Sequence, residues 1–143
     1  MKRIIFPWTL VMLWMALIFL FSHQPATESN QLSSGITSKI ADMINKTVPN
    51  IKLKQEGLNH IIRKGTYFGV YLVLGILVTN ALISSNKFLH NLILMALIIC
   101  VLYAISDEIH QLFIPGRSGE VRDVLIDSTG ALVGILLINI IKK

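Results

Sequence analysis

Long apolar runs separated by short polar stretches dominate the chain. The first covers about residues 4–21, without a charge, directly after Lys2 and Arg3. Further runs follow at about 67–83, 88–105 and 124–141. Each approaches the ~20 residues that an α-helix needs to cross a hydrocarbon core about 30 Å thick. The pattern predicts an all-α polytopic membrane bundle of four transmembrane helices. A basic start before an apolar run also marks a secretory signal peptide. Here the run is long, carries Trp8 and Trp14, and lacks a small-x-small cleavage pattern before Ser22-His23-Gln24-Pro25, so an uncleaved helix is expected. Between the first two spans, residues 22–66 form a polar loop. Within it Ile36, Ile40, Met43 and Ile44 recur at helical period, with Lys39, Asp42 and Lys46 near the opposite side. An outer amphipathic helix lying on the membrane surface is expected there. From about Gln55 a second helical pattern, Leu58, Ile61 and Ile62, leads into the second span and leaves Arg63 and Lys64 just above it.

Composition agrees with a lipid solvent: 53% of the 143 residues are hydrophobic and only 15% charged. Four spans use most of this length, so residues 1–143 read as a single membrane domain with no room for a second globular one. The single cysteine, Cys100, permits neither an intrachain disulfide nor a cysteine-based zinc site. A net charge of +5 raises the question of nucleic acid, but the bases form no patch interleaved with aromatics on a soluble face. Topology accounts for them better. With cytoplasmic termini, Lys2, Arg3, Lys87, Lys142 and Lys143 lie inside and all eight acids lie outside, in the loops 22–66 and 106–123 or at the outer helix ends.

Candidate chemistry concentrates between Ser106 and Gly130. At about 100° per residue, Tyr103, Asp107, His110 and Gln111 share an arc of the third helix, with Glu108 at its edge. Pro115-Gly116 turns the chain. In the fourth helix Asp123 and Asp127 are four apart on one face, continued by Gly130 and Gly134 as a small-xxx-small packing pattern. An acid inside a span costs about 2.5–3.5 kcal/mol on insertion scales, so these acids are expected to converge with Arg63, Lys64 and Arg117 at one depth. Two roles fit. They could pin the helices through ion pairs, or line an outward pocket in which bases receive an anionic headgroup while Glu108, His110, Asp123 and Asp127 position or titrate it. Arg117, after the Pro-Gly turn, is expected to matter less to the fold than Asp127 inside the bundle. Tyr67 and Tyr71, four apart below Lys64, could anchor the helix at the interface or hydrogen-bond a phosphate or sugar. Glu108 and His110 diverge by about 160° and cannot share a metal as an H-E-x-x-H pair does. No metal and no cofactor are expected, and no serine elbow, phosphate loop or dinucleotide fingerprint occurs.

Taken together, Phe21-Ser22-His23-Gln24-Pro25, Arg63-Lys64, the run from Leu102 to Arg117, and Asp123, Asp127 and Gly130 resemble the VanZ-like membrane proteins. The resemblance spans nearly the whole chain and is strongest from Tyr103 to Gly134. It implies a bacterial multi-pass inner-membrane protein, in a family whose named member is associated with resistance to teicoplanin. One feature departs from the pattern: where many relatives open the second helix with His-Phe-x-Glu-Tyr, this chain has Tyr67-Phe68-Gly69-Val70-Tyr71. The reading that emerges is a pocket, with Arg63, Lys64, Tyr67, Tyr71, Asp107, Gln111 and Arg117 as binding residues, for an envelope lipid or lipid-linked glycan precursor. A lipoglycopeptide antibiotic is a second candidate ligand. The alternatives are a lipid-modifying enzyme using Glu108, His110, Asp123 and Asp127, or a structural subunit of a membrane complex.

The topology is testable. In a variant lacking Cys100, cysteines introduced at Ser34 and Ser118 should react with an impermeant thiol reagent on intact cells, and one at Ser85 should not. The opposite labelling pattern would reverse the orientation.

Overall fold

The computed structural model describes residues 2–25, 35, 55–85 and 91–142. Among these, the elements are four long helices: α1 (Lys2–Ser22), α2 (Gln55–Ser85), α3 (Leu92–Gln111) and α4 (Val121–Ile141). All four are long and apolar enough to cross a membrane, over Ile4–Ser22, Ile61–Ser85, Leu92–Gln111 and Val121–Ile141. The expected all-helical membrane bundle is therefore present. The helices extend beyond the apolar runs because polar residues at one end of the bundle stay helical: α2 begins at Gln55, and α3 continues through Asp107 and Glu108 to Gln111. The stripe from Ile36 to Ile44, expected as an outer amphipathic helix, lies outside the described residues.

Cross-helix bonds give the directions. Trp8 donates to Ser85 and Trp14 to the carbonyl of Val70, so α1 runs against α2. Tyr103 donates to the carbonyl of Met15, and Ser22 to Asp107, so α1 and α3 run together. Lys64 meets Asp123 at one end of the α2–α4 pair, and Asn80 meets Lys142 at the other, so these two also run together. An up-down-up-down bundle results, with residues 22–25, 61–67, 107–117 and 120–127 gathered at one end.

Packing is tightest between α2 and α4. A Cβ on Gly130 would lie 2.3 Å from the carbonyl oxygen of Phe68, one on Gly134 2.0 Å from that of Leu72, and one on Gly75 2.2 Å from that of Ala131. Backbone therefore rests on backbone, as small residues allow in helices that lack a hydrophobic driving force in lipid. Tyr71, Leu74, Val78 and Ala81 of α2, Ala96, Cys100 and Ala104 of α3, and Ala131 and Ile135 of α4 are buried, joined by Val11 and Ile18 of α1. Large apolar side chains such as Phe6, Met12, Leu20, Leu102, Leu125 and Ile140 face outward. That inverted surface is the one a membrane requires.

Gly134→Ala should lower the melting temperature of the detergent-solubilised protein, with a cost of about 1–3 kcal/mol from overpacking. Gly69→Ala, where an added Cβ meets nothing within 4 Å, should leave stability unchanged or raise it by about 0.5–1 kcal/mol. Equal responses at the two sites would show that the α2–α4 approach is looser than described.

Candidate functional site

The loop after α3 organises the polar end. Successive one-turn bonds, Phe113 to His110, Ile114 to Gln111 and Arg117 to Ile114, wind the chain out of the helix. Gly116 then reverses it with φ at 77°, a conformation that side-chain-bearing residues rarely adopt. Glu120 ends the loop. Its backbone N–H, unpaired within α4 by position, donates at 3.0 Å to Glu108 Oε2, so a carboxylate of α3 caps the start of α4.

Between the helix ends lies a polar cavity of about 110 Å³, lined by Arg63, Lys64, Tyr67, Glu108, Gln111, Gly116, Arg117, Ser118, Asp123, Ile126 and Asp127. Lys64 donates at 2.6 Å to Asp123 and lies 3.6 Å from Glu120. Gln111 connects the acids of its own helix, its amide nitrogen donating to Asp107 at 3.3 Å and Glu108 at 3.2 Å, while its oxygen accepts from Arg117 at 3.3 Å. Arg63 has no hydrogen bond or ion pair among the described residues and borders the same space.

Among the described residues the guanidinium of Arg117 makes no salt bridge. Nε donates to the carbonyl of Gln24 at 2.9 Å, one terminal nitrogen to the Tyr67 hydroxyl at 2.8 Å as well as to Gln111, and the other to the carbonyl of Phe21 at 3.1 Å. One planar fork thus ties the end of α1 to α2 and α3, a geometry that a point charge cannot supply. The expectation that Arg117 matters less to the fold than Asp127 is corrected here. Its position after a Pro-Gly turn suggested freedom, but its donors are committed to three elements, whereas neither oxygen of Asp127 has a partner among the described residues.

Of the residues expected at the pocket, Arg63, Lys64, Tyr67, Glu108, Gln111, Arg117, Asp123 and Asp127 line one cavity. Three do not. Asp107, 2% exposed, sits behind the wall and accepts from Ser22 at 2.7 Å. Tyr71 is fully buried in the core. His110 faces the end of α1, stacked on Phe19 with ring centroids 4.4 Å apart and 3.2 Å from His23 between ring nitrogens. The shared arc of Tyr103, Asp107 and His110 is largely the face that packs on α1. Periodicity groups residues on a face but does not say which neighbour that face meets. Ser22 and Gln24 were therefore missed as partners, as were the lining residues Gly116, Ser118 and Ile126. At the departures from the VanZ-like pattern, Tyr67 accepts from Arg117 and Val70 offers its carbonyl to Trp14.

The sequence profile of the VanZ/LLP1 family matches residues 6–142, nearly the whole chain. The chain belongs to the VanZ/LLP1 family. No curated protein and no solved structure matches it. For this VanZ/LLP1 protein the four spans fit a multi-pass membrane protein. Among the described residues no group of three or more His, Cys, Asp or Glu side chains is placed to hold a metal ion.

Arg117→Gln and Arg117→Lys should both lower the melting temperature, by the equivalent of about 2 kcal/mol, since each loses the fork that spans three elements. Full rescue by Lys would assign Arg117 the role of a charge and not of a geometric clamp.

Proposed function

We infer that this protein binds the headgroup of an envelope lipid or lipid-linked glycan in the polar cavity and so contributes to glycopeptide resistance of the teicoplanin type. The cavity faces outward from a bacterial cytoplasmic membrane, with both termini inside. The observation that carries this reading is Arg63, a guanidinium that borders the cavity with all its donors uncommitted among the described residues. Arginine can offer phosphate two parallel charge-assisted hydrogen bonds, and its neighbour Lys64, though paired, adds positive potential at the same level. The position supports a lipid source, because the cavity lies between the ends of three apolar helices, α2, α3 and α4. A headgroup can enter there while its chains stay among the outward-facing apolar side chains.

Binding is favoured over catalysis by the placement of His110. Acid-base work on one substrate requires both groups within hydrogen-bond reach of it. Glu108 and Asp127 border the cavity, but His110 is turned toward His23 and Phe19. A purely structural role would leave Arg63 without consequence.

Arg63→Gln should therefore abolish most of the teicoplanin protection given by the wild-type protein in a susceptible bacterium, measured as minimum inhibitory concentration. Membrane level and melting temperature should stay near wild type, within about 0.5 kcal/mol, because the side chain has no partner to lose among the described residues. Full protection by the variant would remove the anion-binding role.

A further inference from the structure

The floor of the cavity has a chemistry that an anion alone does not match. Asp127 is 1% exposed, borders the cavity, and has no hydrogen-bond partner on either carboxylate oxygen among the described residues. Asp107 Oδ1 and the Tyr71 hydroxyl, within electrostatic range of it or of each other, are buried and equally unpartnered. Lys64 is committed to Asp123, and Arg117 to neutral acceptors. Three acids, Glu108, Asp123 and Asp127, line the cavity with three bases, Arg63, Lys64 and Arg117, and of these acids Asp127 alone lacks a hydrogen-bond partner among the described residues. A buried, unpaired carboxylate is strongly unfavourable, so positive charge arriving with a ligand would be held firmly there.

A bare divalent ion fits poorly. Calcium takes six to eight oxygens, and no three acidic, His or Cys side chains among the described residues are set to hold a metal. A primary ammonium asks for only three acceptors, and Asp127 alone offers two oxygens. Depth supplies the second half of the argument. The Lys64–Asp123 pair marks one level, Arg63 adjoins it, and Asp127 lies one turn, about 6 Å, deeper along α4. A P–O–C–C–N chain of four bonds near 1.5 Å each reaches about 5 Å.

Resting on the headgroup reading above, we propose that the ligand is zwitterionic, a primary ammonium seated at Asp127 and joined through two carbons to a phosphate at Arg63. Ethanolamine phosphate has this form, whether as a phospholipid headgroup or as the free compound. Methylation of the nitrogen removes its N–H donors and enlarges it, and a glycerol headgroup lacks the cation.

The full-length protein, purified in neutral detergent, is titrated with phosphatidylethanolamine, phosphatidylcholine and phosphatidylglycerol of identical acyl chains, and binding is read by native mass spectrometry. Phosphatidylethanolamine should bind about tenfold tighter than phosphatidylcholine, the scale of one charge-assisted hydrogen bond. Asp127→Asn should cancel that preference while melting at or above the wild-type temperature without lipid, since Asp127 has no hydrogen bond to lose among the described residues. Arg63→Gln should weaken phosphatidylethanolamine and phosphatidylglycerol alike. Competition by free O-phosphoethanolamine at equal concentration would assign the soluble compound, and failure to compete would assign the lipid; each is a form of the same chemistry. Equal binding of the three lipids, a preference for phosphatidylglycerol, or a preference that survives Asp127→Asn overturns the proposal and leaves the headgroup reading intact. Binding of none overturns both.

Discussion

Backbone contact between α2 and α4 positions the polar chemistry of this protein. Gly130, Gly134 and Gly75 let the two helices approach until an added Cβ would strike a carbonyl on the other helix. At that separation Lys64 reaches Asp123 at 2.6 Å, and Asp127, one turn below, is enclosed. Wider spacing would admit lipid or water to that carboxylate and leave the lysine short of its partner. A contact made of glycines and main chain thereby fixes the geometry of charged groups that lie beyond it.

The three cations that line the cavity have different duties. Lys64 neutralises Asp123 and leans toward Glu120. Arg117 satisfies carbonyls at the end of α1, the Tyr67 phenol and the Gln111 amide, closing the bundle across α1, α2 and α3. Arg63 does neither. The same division holds among the acids: Glu108 caps α4, Asp107 receives Ser22, and Asp127 receives nothing among the described residues. Partnered and unpartnered groups therefore fall on different members of one set of residues that line or adjoin the cavity.

Hydrophobic runs and the cost of charge in hydrocarbon make the four spans legible from sequence, because the bilayer imposes length and apolarity on each helix separately. The α2–α4 seam was readable too, since Gly130 and Gly134 at a spacing of four leave a groove on any helix. Convergence of Arg63, Lys64, Glu108, Asp123 and Asp127 follows from the same energetic argument. The assignments within that group needed three dimensions. His110 and Asp107 share a helical face with Gln111, yet α1 takes the first two and the cavity takes the third. Arg117 looked mobile after Pro115-Gly116, but its partners come from α1, α2 and α3. Local periodicity and transfer energy are properties of one segment at a time, so the sequence by itself determined the helices, their membrane character and the depth of the charges. Which charge is neutralised and which remains open depends on distances between segments far apart in the chain, and only the packed bundle decided that.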